Sequence, residues 1–233
     1  MTIEHEPIKS PDTRGVLQEL WLPVDAVRWA PAWLMMKRQR TAHPQTVLLL
    51  PGFGATHRSW VVMGAYLRRV GHDVHDWGLG RNTGLVSKLL PAVSARVEKL
   101  VADAGHAIML VGWSLGGYLA REVARDHPEL VRKVITLGSP VIGGPRYTAV
   151  GTWYQSKGYD LDAIERGVAA RFATPLRVPV TAIYSKRDGV VAWQACIDHW
   201  SANVRHIEVS ETHLGMGFSP RVLSIVAEEL EPS

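Results

Sequence analysis

A chain of 233 residues that is 46% hydrophobic and 21% charged is long enough for one domain with a substantial core and too apolar for a disordered protein. Its formal charge of +4 is spread over 26 basic and 22 acidic residues. No block of five or six like charges stands out, which excludes a nucleic-acid binder built on a basic stripe. Cys196 is the single cysteine, so an intrachain disulfide is excluded and no thiolate metal site is expected.

The amino end, MTIEHEPIKSPDTRG, carries charges and prolines but no apolar run of the kind a signal peptide needs. The most apolar early stretch, residues 21–36, is interrupted by Pro23, Asp25, Arg28 and Pro31 and is too short and polar to span a bilayer. A cytoplasmic location is therefore expected. Residues 1–14 read as a tail. From Val16 onward, Leu17, Leu20, Trp21, Val24 and Val27 recur at three- and four-residue intervals, which predicts an amphipathic helix packed on the core. Residues 1–45 thus form a tail and helix ahead of a domain over 46–233. Trp29, Trp33, Met35 and Met36 could instead make an apolar patch for a membrane surface or partner, although nothing else in the chain indicates one.

After Pro44 strands and helices alternate. Residues 46–50 form a strand, followed by the loop Pro51-Gly52-Phe53-Gly54 and a helix to about Val70. Residues 73–77 form a second strand, and a glycine-containing loop then leads to a helix over 86–102. A fully apolar third strand covers 107–111, with a helix over 115–127 behind it. Strands over 131–137, 180–184 and 205–209 complete the set, with a short helix over 192–200 and a closing helix over 220–230. Apolar strands alternating with helices predict a mostly parallel sheet covered on both faces. Between Ser139 and Val178 about 40 residues contain no strand, and such a length inside a domain reads as a functional insertion, here a small cap.

Gly112-Trp113-Ser114-Leu115-Gly116 fits G-x-S-x-G, and its context makes it informative: an apolar strand precedes it and a helix-forming run follows. A sharp strand-to-helix turn strains the serine backbone and crowds its neighbours, so glycines flank it, and Gly117 lets the helix approach the sheet. Ser114 then lies at a helix N-terminus, where N–H groups and the macrodipole favour negative charge. The bland alternative is a capping serine beside packing glycines. A tetrahedral oxyanion wants two backbone donors. Leu115, next to the serine, and Phe53, in the loop after the first strand, are the candidates.

In nucleophile-elbow enzymes the acid and then the histidine follow the serine along the chain. Three histidines lie late in the sequence. His199 falls in the expected helix and His206 at the start of the last strand, whereas His213 follows that strand at the carboxyl edge, where sites of α/β proteins form. Asp188, in the run Ser185-Lys186-Arg187-Asp188-Gly189 after the fifth strand, is the matching acid. The position after the fourth strand reads Gly138-Ser139-Pro140 and offers no carboxylate. Asp126, Asp160, Asp162 and Asp198 fall on expected helices or in the insertion.

Gly78-Leu79-Gly80-Arg81-Asn82-Thr83-Gly84 superficially resembles a dinucleotide loop, but its third glycine is one residue late and no acidic partner follows. Arg81 and Asn82 at that edge are candidate substrate contacts. His72, Asp73, His75 and Asp76 crowd together, yet strand alternation sends the two histidines to opposite faces, so no metal is expected. Cys196 reads as a buried small residue. Nine tryptophans are many for this length. Trp60, Trp113, Trp153 and Trp193 flank the candidate loops, with Trp113 and Trp153 the best placed to touch an apolar acyl or aryl group.

With strand–GWSLGG–helix, SKRDGVV and THLG in that order, residues 44–231 resemble the α/β-hydrolase superfamily. LLLPGFGAT, GLGRN, VITLGSP and THLGMG are similar to small bacterial esterase/lipase-type members related to the class 2 and PGAP1-like lipases. The resemblance implies an α/β-hydrolase fold and hydrolysis of a small-molecule carboxylic ester through an acyl-enzyme on Ser114, without a cofactor. The chain departs from the pattern in two ways. Pro51 stands where many relatives have the histidine of a His-Gly pair, and the amino-terminal antiparallel strands of larger members are missing, so a minimal six-stranded sheet is expected. GWSLGG also occurs in carboxylesterases of biotin synthesis and in thioesterase domains. A thioesterase or acyltransferase using the same residues is therefore the alternative, with a membrane-associated lipase a third reading. A non-catalytic receptor on this fold is argued against by the intact Ser, Asp, His and glycine set.

Overall fold

Strand Thr46–Leu50 (β1) reads TVLLL and is buried along its whole length, which requires cover on both faces. The computed structural model describes residues 8–11, 13–19, 27, 29–33, 36 and 40–232. Among them the further strands are Asp73–Asp76 (β2), Ile108–Trp113 (β3), Val131–Leu137 (β4), Val180–Ser185 (β5) and Val204–Val209 (β6). They form a six-stranded sheet in the order β2-β1-β3-β4-β5-β6, with every neighbouring pair parallel. The polar sequence DVHD suits β2 to an edge, where half its residues meet solvent.

Helices Val61–Arg69 (α2) and Pro220–Glu229 (α7) cover one face. Helices Val86–Ala104 (α3) and Leu115–Asp126 (α4) cover the other. Alternation along β1 sorts the core. Val47 and Leu49 pack with Met63, Leu67, Val222 and Val226 on the first face, while Leu48 and Leu50 pack with Val93, Val97, Leu119 and Val123 on the second. Helix α3 runs two residues past its expected end and closes at Gly105, whose φ of 73° is the left-handed C-cap conformation. Because β1 is followed by a helix on one face and β3 by a helix on the other, the strand order reverses between them. The crevice beyond their carboxyl ends is the place where ligands bind in such sheets.

Three expectations differ. The segment 192–200 is not a helix: only Trp193–Cys196 form a 3-10 turn, and Ile197 is extended at ψ 119°. Asp198 draws the chain away by accepting from the Trp200 and Ser201 N–H groups while pairing with buried Arg121 of α4. The amino-terminal helix spans Thr13–Gln18 (α1), starting inside the expected tail. Val16 and Leu17, expected on its buried face, are exposed, whereas Glu19 is buried. Leu20, Trp21 and Val24 lie outside the described residues. Third, β3 runs to Trp113, bringing regular structure up to the serine.

The stretch 139–178 contains no strand. It carries a 3-10 turn at Gly144–Tyr147 and helices Gly151–Ser156 (α5) and Leu161–Arg171 (α6). Asp160 caps α6, accepting from the Asp162 and Ala163 N–H groups. Arg171 at its end bridges to Glu122 and Asp126 of α4. Among the described residues no helix is long and apolar enough to cross a membrane.

Candidate active site

Between β3 and α4 the chain turns at Ser114 with φ 54° and ψ −124°. Among the described residues it is the one non-glycine with positive φ, a conformation that costs about 1–3 kcal/mol and persists where its surroundings impose it. They do so here. The Ser114 N–H donates to the Leu137 carbonyl of β4 at 2.8 Å, and the flanking glycines leave no room for side chains. A Cβ on Gly112 would lie 2.4 Å from Gly117 Cα, and one on Gly116 would lie 2.1 Å from the Leu50 carbonyl oxygen.

Close approach also governs the loop after β1. A Cβ on Gly52 would meet Ser114 Cβ at 3.2 Å. The turn Gly52–Ala55 closes with the Ala55 N–H on the Gly52 carbonyl at 3.1 Å, and Gly54 takes φ 73°, the pattern of a type II turn. Phe53 and Leu115, the two expected oxyanion donors, both line the space in front of Ser114. Leu115 opens α4, so its N–H has no helical carbonyl behind it.

Arg81 and Asn82 do not line that space. They brace the loop instead. Asn82 Nδ2 donates to the Pro51 carbonyl at 2.8 Å, its backbone exchanges bonds with Gly54 and Ala55, and Arg81 Nη1 donates to the Gly54 carbonyl at 2.7 Å. Both residues therefore support the loop that carries Phe53.

Asp188 and His213 meet across the carboxyl edge. His213 Nδ1 lies 2.7 Å from Asp188 Oδ2, and both side chains are almost fully buried. A carboxylate only accepts, so Nδ1 carries the proton and Nε2 is left as the acceptor. The other aspartate oxygen, Oδ1, accepts from the Val190 and Val191 N–H groups at 2.9 and 2.7 Å, which fixes the carboxylate plane. Burial of the ring opposes protonation, but the Asp188 charge and hydrogen bond, with the Glu19 charge, hold His213 above its ordinary value. Trp113 packs against the ring at 5.9 Å between centroids.

Gly138, the position without a carboxylate, is what makes room for this pair. A Cβ there would lie 2.7 Å from Asp188 Oδ2 and 2.9 Å from His213 Nδ1. The competing acids have other partners: Asp126 bonds Arg171, Asp162 bonds Arg146, and Asp198 bonds Arg121. Of the other late histidines, His206 Nε2 accepts from the Asp198 N–H. His72 Nδ1 accepts from the Gln45 N–H, and His75 bonds Asp73. Cys196 is buried, which pushes its thiol well up.

Ser114, His213, Phe53 and Leu115 border one cavity of about 560 Å³, within the range of small-molecule sites. Trp113 lines it. Trp153 does not, and instead packs edge-on against Phe53 at 4.8 Å, while Trp60 is buried in the core and Trp193 stacks on Tyr184. The apolar wall comes from residues that no motif marked, chiefly Tyr154, Tyr159, Ile164 and Val168 of the 139–178 stretch and Val86 of α3. Tyr154 donates to the Gly84 carbonyl at 3.0 Å, pinning α5 over the loop before α3. Burial raises its hydroxyl to about 12. A bridge between Thr148 and Val191 ties the same stretch to the loop of Asp188.

A parallel sheet with a strained serine turn at its switch point and a buried Asp–His pair at its carboxyl edge defines an α/β protein with a polar cluster at the mouth of an apolar cavity. The sequence profile of the alpha/beta hydrolase family matches residues 47–224, and the chain belongs to that family. A pimeloyl-[acyl-carrier protein] methyl ester esterase of Salmonella heidelberg is 33% identical over 111 residues, which is 46% of this chain and 40% of that relative. The match thus spans well under two thirds of the curated relatives' length. Among solved structures, a Bacillus licheniformis lipase superposes with a TM-score of 0.62 at 13% identity, covering 83% of this chain and 96% of that one. A lipase-esterase related protein from Clostridium acetobutylicum gives 0.60 at 17% identity over 82% and 95%. Both are similar in fold.

Proposed function

We propose that this protein is a serine hydrolase that cleaves carboxylic esters of apolar acyl or aryl groups, with Ser114 as nucleophile, His213 as base and Asp188 as its orienting acid. The observation that carries the reading is the convergence on one cavity of a serine held at φ 54° and a histidine whose Nδ1 is committed to a buried aspartate at 2.7 Å. In the reaction His213 Nε2 takes the Ser114 proton as Oγ attacks the ester carbonyl. The Phe53 and Leu115 N–H groups receive the oxyanion, each such donor being worth on the order of 100- to 1000-fold in rate. The imidazolium, steadied by Asp188, then protonates the leaving alcohol, and water repeats the sequence on the acyl-enzyme. The segment 139–178 acts as a cap whose apolar side chains select the acyl group, which the lining by Tyr154, Ile164 and Val168 supports. The curated relative, named for a methyl ester, supports ester rather than amide chemistry.

The test is hydrolysis of a p-nitrophenyl ester series of increasing acyl length, beside matched acyl thioesters, with purified Ser114→Ala as control. Ester turnover that disappears in the variant supports the reading. Faster thioester turnover moves the assignment to a thioesterase, and turnover that survives in Ser114→Ala overturns it.

A further inference from the structure

Glu19 stands apart from the motifs and from residues 47–224 of the family match, yet its carboxylate reaches both loops of the Asp–His pair. Oε1 accepts from the Gly189 N–H at 3.0 Å and from the His213 N–H at 2.9 Å. Oε2 accepts from the Leu214 N–H at 2.8 Å. The side chain belongs to a residue only 6% exposed. A buried carboxylate is costly unless charge-assisted hydrogen bonds replace its water, and three convergent backbone donors do so. Helix α1 sits hard against the same place: a Cβ on Gly189 would lie 1.9 Å from the Gly15 carbonyl oxygen.

We propose that Glu19 is a positioning residue of the hydrolytic site, a strut from the amino-terminal segment that clamps the loop of Asp188 to the loop of His213 and sets the register of the base. The inference rests on the assignment of Ser114, His213 and Asp188 above. Glu19 bonds backbone and not the imidazole, whose Nδ1 is taken by Asp188, so it acts through His213 rather than on substrate. It also places a second negative charge near the ring that becomes cationic during the reaction. The charged groups acting on His213 are Asp188, from the loop after β5, and Glu19. The sides presented by β3 and by the residue after β4 offer Trp113 and Gly138, which carry no charge.

The experiment compares the 233-residue protein with Glu19→Gln and Glu19→Ala by p-nitrophenyl butyrate kinetics, NMR titration of the His213 ring, and thermal unfolding. Glu19→Ala is expected to lower kcat by on the order of 10- to 100-fold, the cost of misplacing a base by a fraction of an ångström to an ångström, with KM little changed. Glu19→Gln keeps a carbonyl acceptor and recovers part of that loss. In both variants the His213 midpoint moves to lower pH. Unaltered kcat and an unaltered His213 midpoint, with only the unfolding temperature reduced, would overturn the proposal and leave Glu19 a docking residue. Should the wild type turn over no ester or thioester while the His213 midpoint still falls in the variants, the hydrolase reading fails and the strut stands.

Discussion

Replacing Gly138 with alanine should disable the site while sparing most of the fold. The added Cβ would lie 2.7 Å from Asp188 Oδ2, 2.9 Å from His213 Nδ1 and 3.1 Å from His213 Cε1, at a backbone φ of 52°. The left-handed conformation alone costs a side chain about 1–2 kcal/mol. The backbone has little freedom to swing away, because the Gly138 N–H donates to the Ile183 carbonyl at 2.9 Å. The aspartate and histidine must therefore separate, and the 2.7 Å bond between them is the contact that gives. A displacement approaching 1 Å lowers rates by about 100-fold. Steady-state hydrolysis of p-nitrophenyl butyrate, run beside thermal unfolding, reads both effects. Gly105→Ala is the control: its φ is 73° and no heavy atom lies within 4 Å of the new Cβ, so it carries a similar backbone cost without the clash. A Gly138→Ala protein with kcat within about twofold of Gly105→Ala, where misplacement predicts roughly 100-fold, would refute the claim that this glycine clears space for the pair.

Asn82→Ala strands the buried Pro51 carbonyl, a loss of about 1–3 kcal/mol. It should lower kcat more than it raises KM, because the loop carrying Phe53 loosens; a pure KM effect would return Asn82 to the substrate. Val168→Phe adds bulk to the cavity wall and should shift the acyl-length optimum downward, and an unchanged optimum would place the acyl group elsewhere. His213 stands above its ordinary value of 6.5, so the acidic limb of kcat/KM should fall above that pH, and Asp188→Asn should lower it. The same shift has a sign for folding. The raised histidine contributes stability fully below 6.5 and loses it as pH rises through the folded value. Unfolding temperature should therefore drop across that interval in the wild type but not in His213→Gln.

The strand set, the turn at Ser114 and the loops that bring Asp188 and His213 together were legible because each rests on short-range pattern: apolar runs, a glycine-flanked serine, and loops following strands. What escaped depends on distance along the chain. Glu19 contacts residues 170 and 194 positions away, and the local spacing of Val16 and Leu17 points to a buried face that the structure leaves exposed. Arg81 and Asn82 hold the loop of Phe53 through bonds to carbonyls 27 and 31 positions away, contacts that no local pattern announces. The segment 192–200 has helical periodicity, yet a buried Arg121–Asp198 pair outweighs it. Gly138 left a trace, since the position after the fourth strand offers no carboxylate, although the reason emerges only when Asp188 and His213 are seen to fill the space.

Reaction with a fluorophosphonate followed by mass spectrometry of the tryptic digest decides whether Ser114 is the nucleophile, because such a reagent needs an activated serine beside oxyanion donors and a base. A single adduct is expected on the tryptic peptide containing Ser114, absent in Ser114→Ala and slowed in His213→Gln. An adduct on another residue, or none in a preparation that hydrolyses esters, would contradict it.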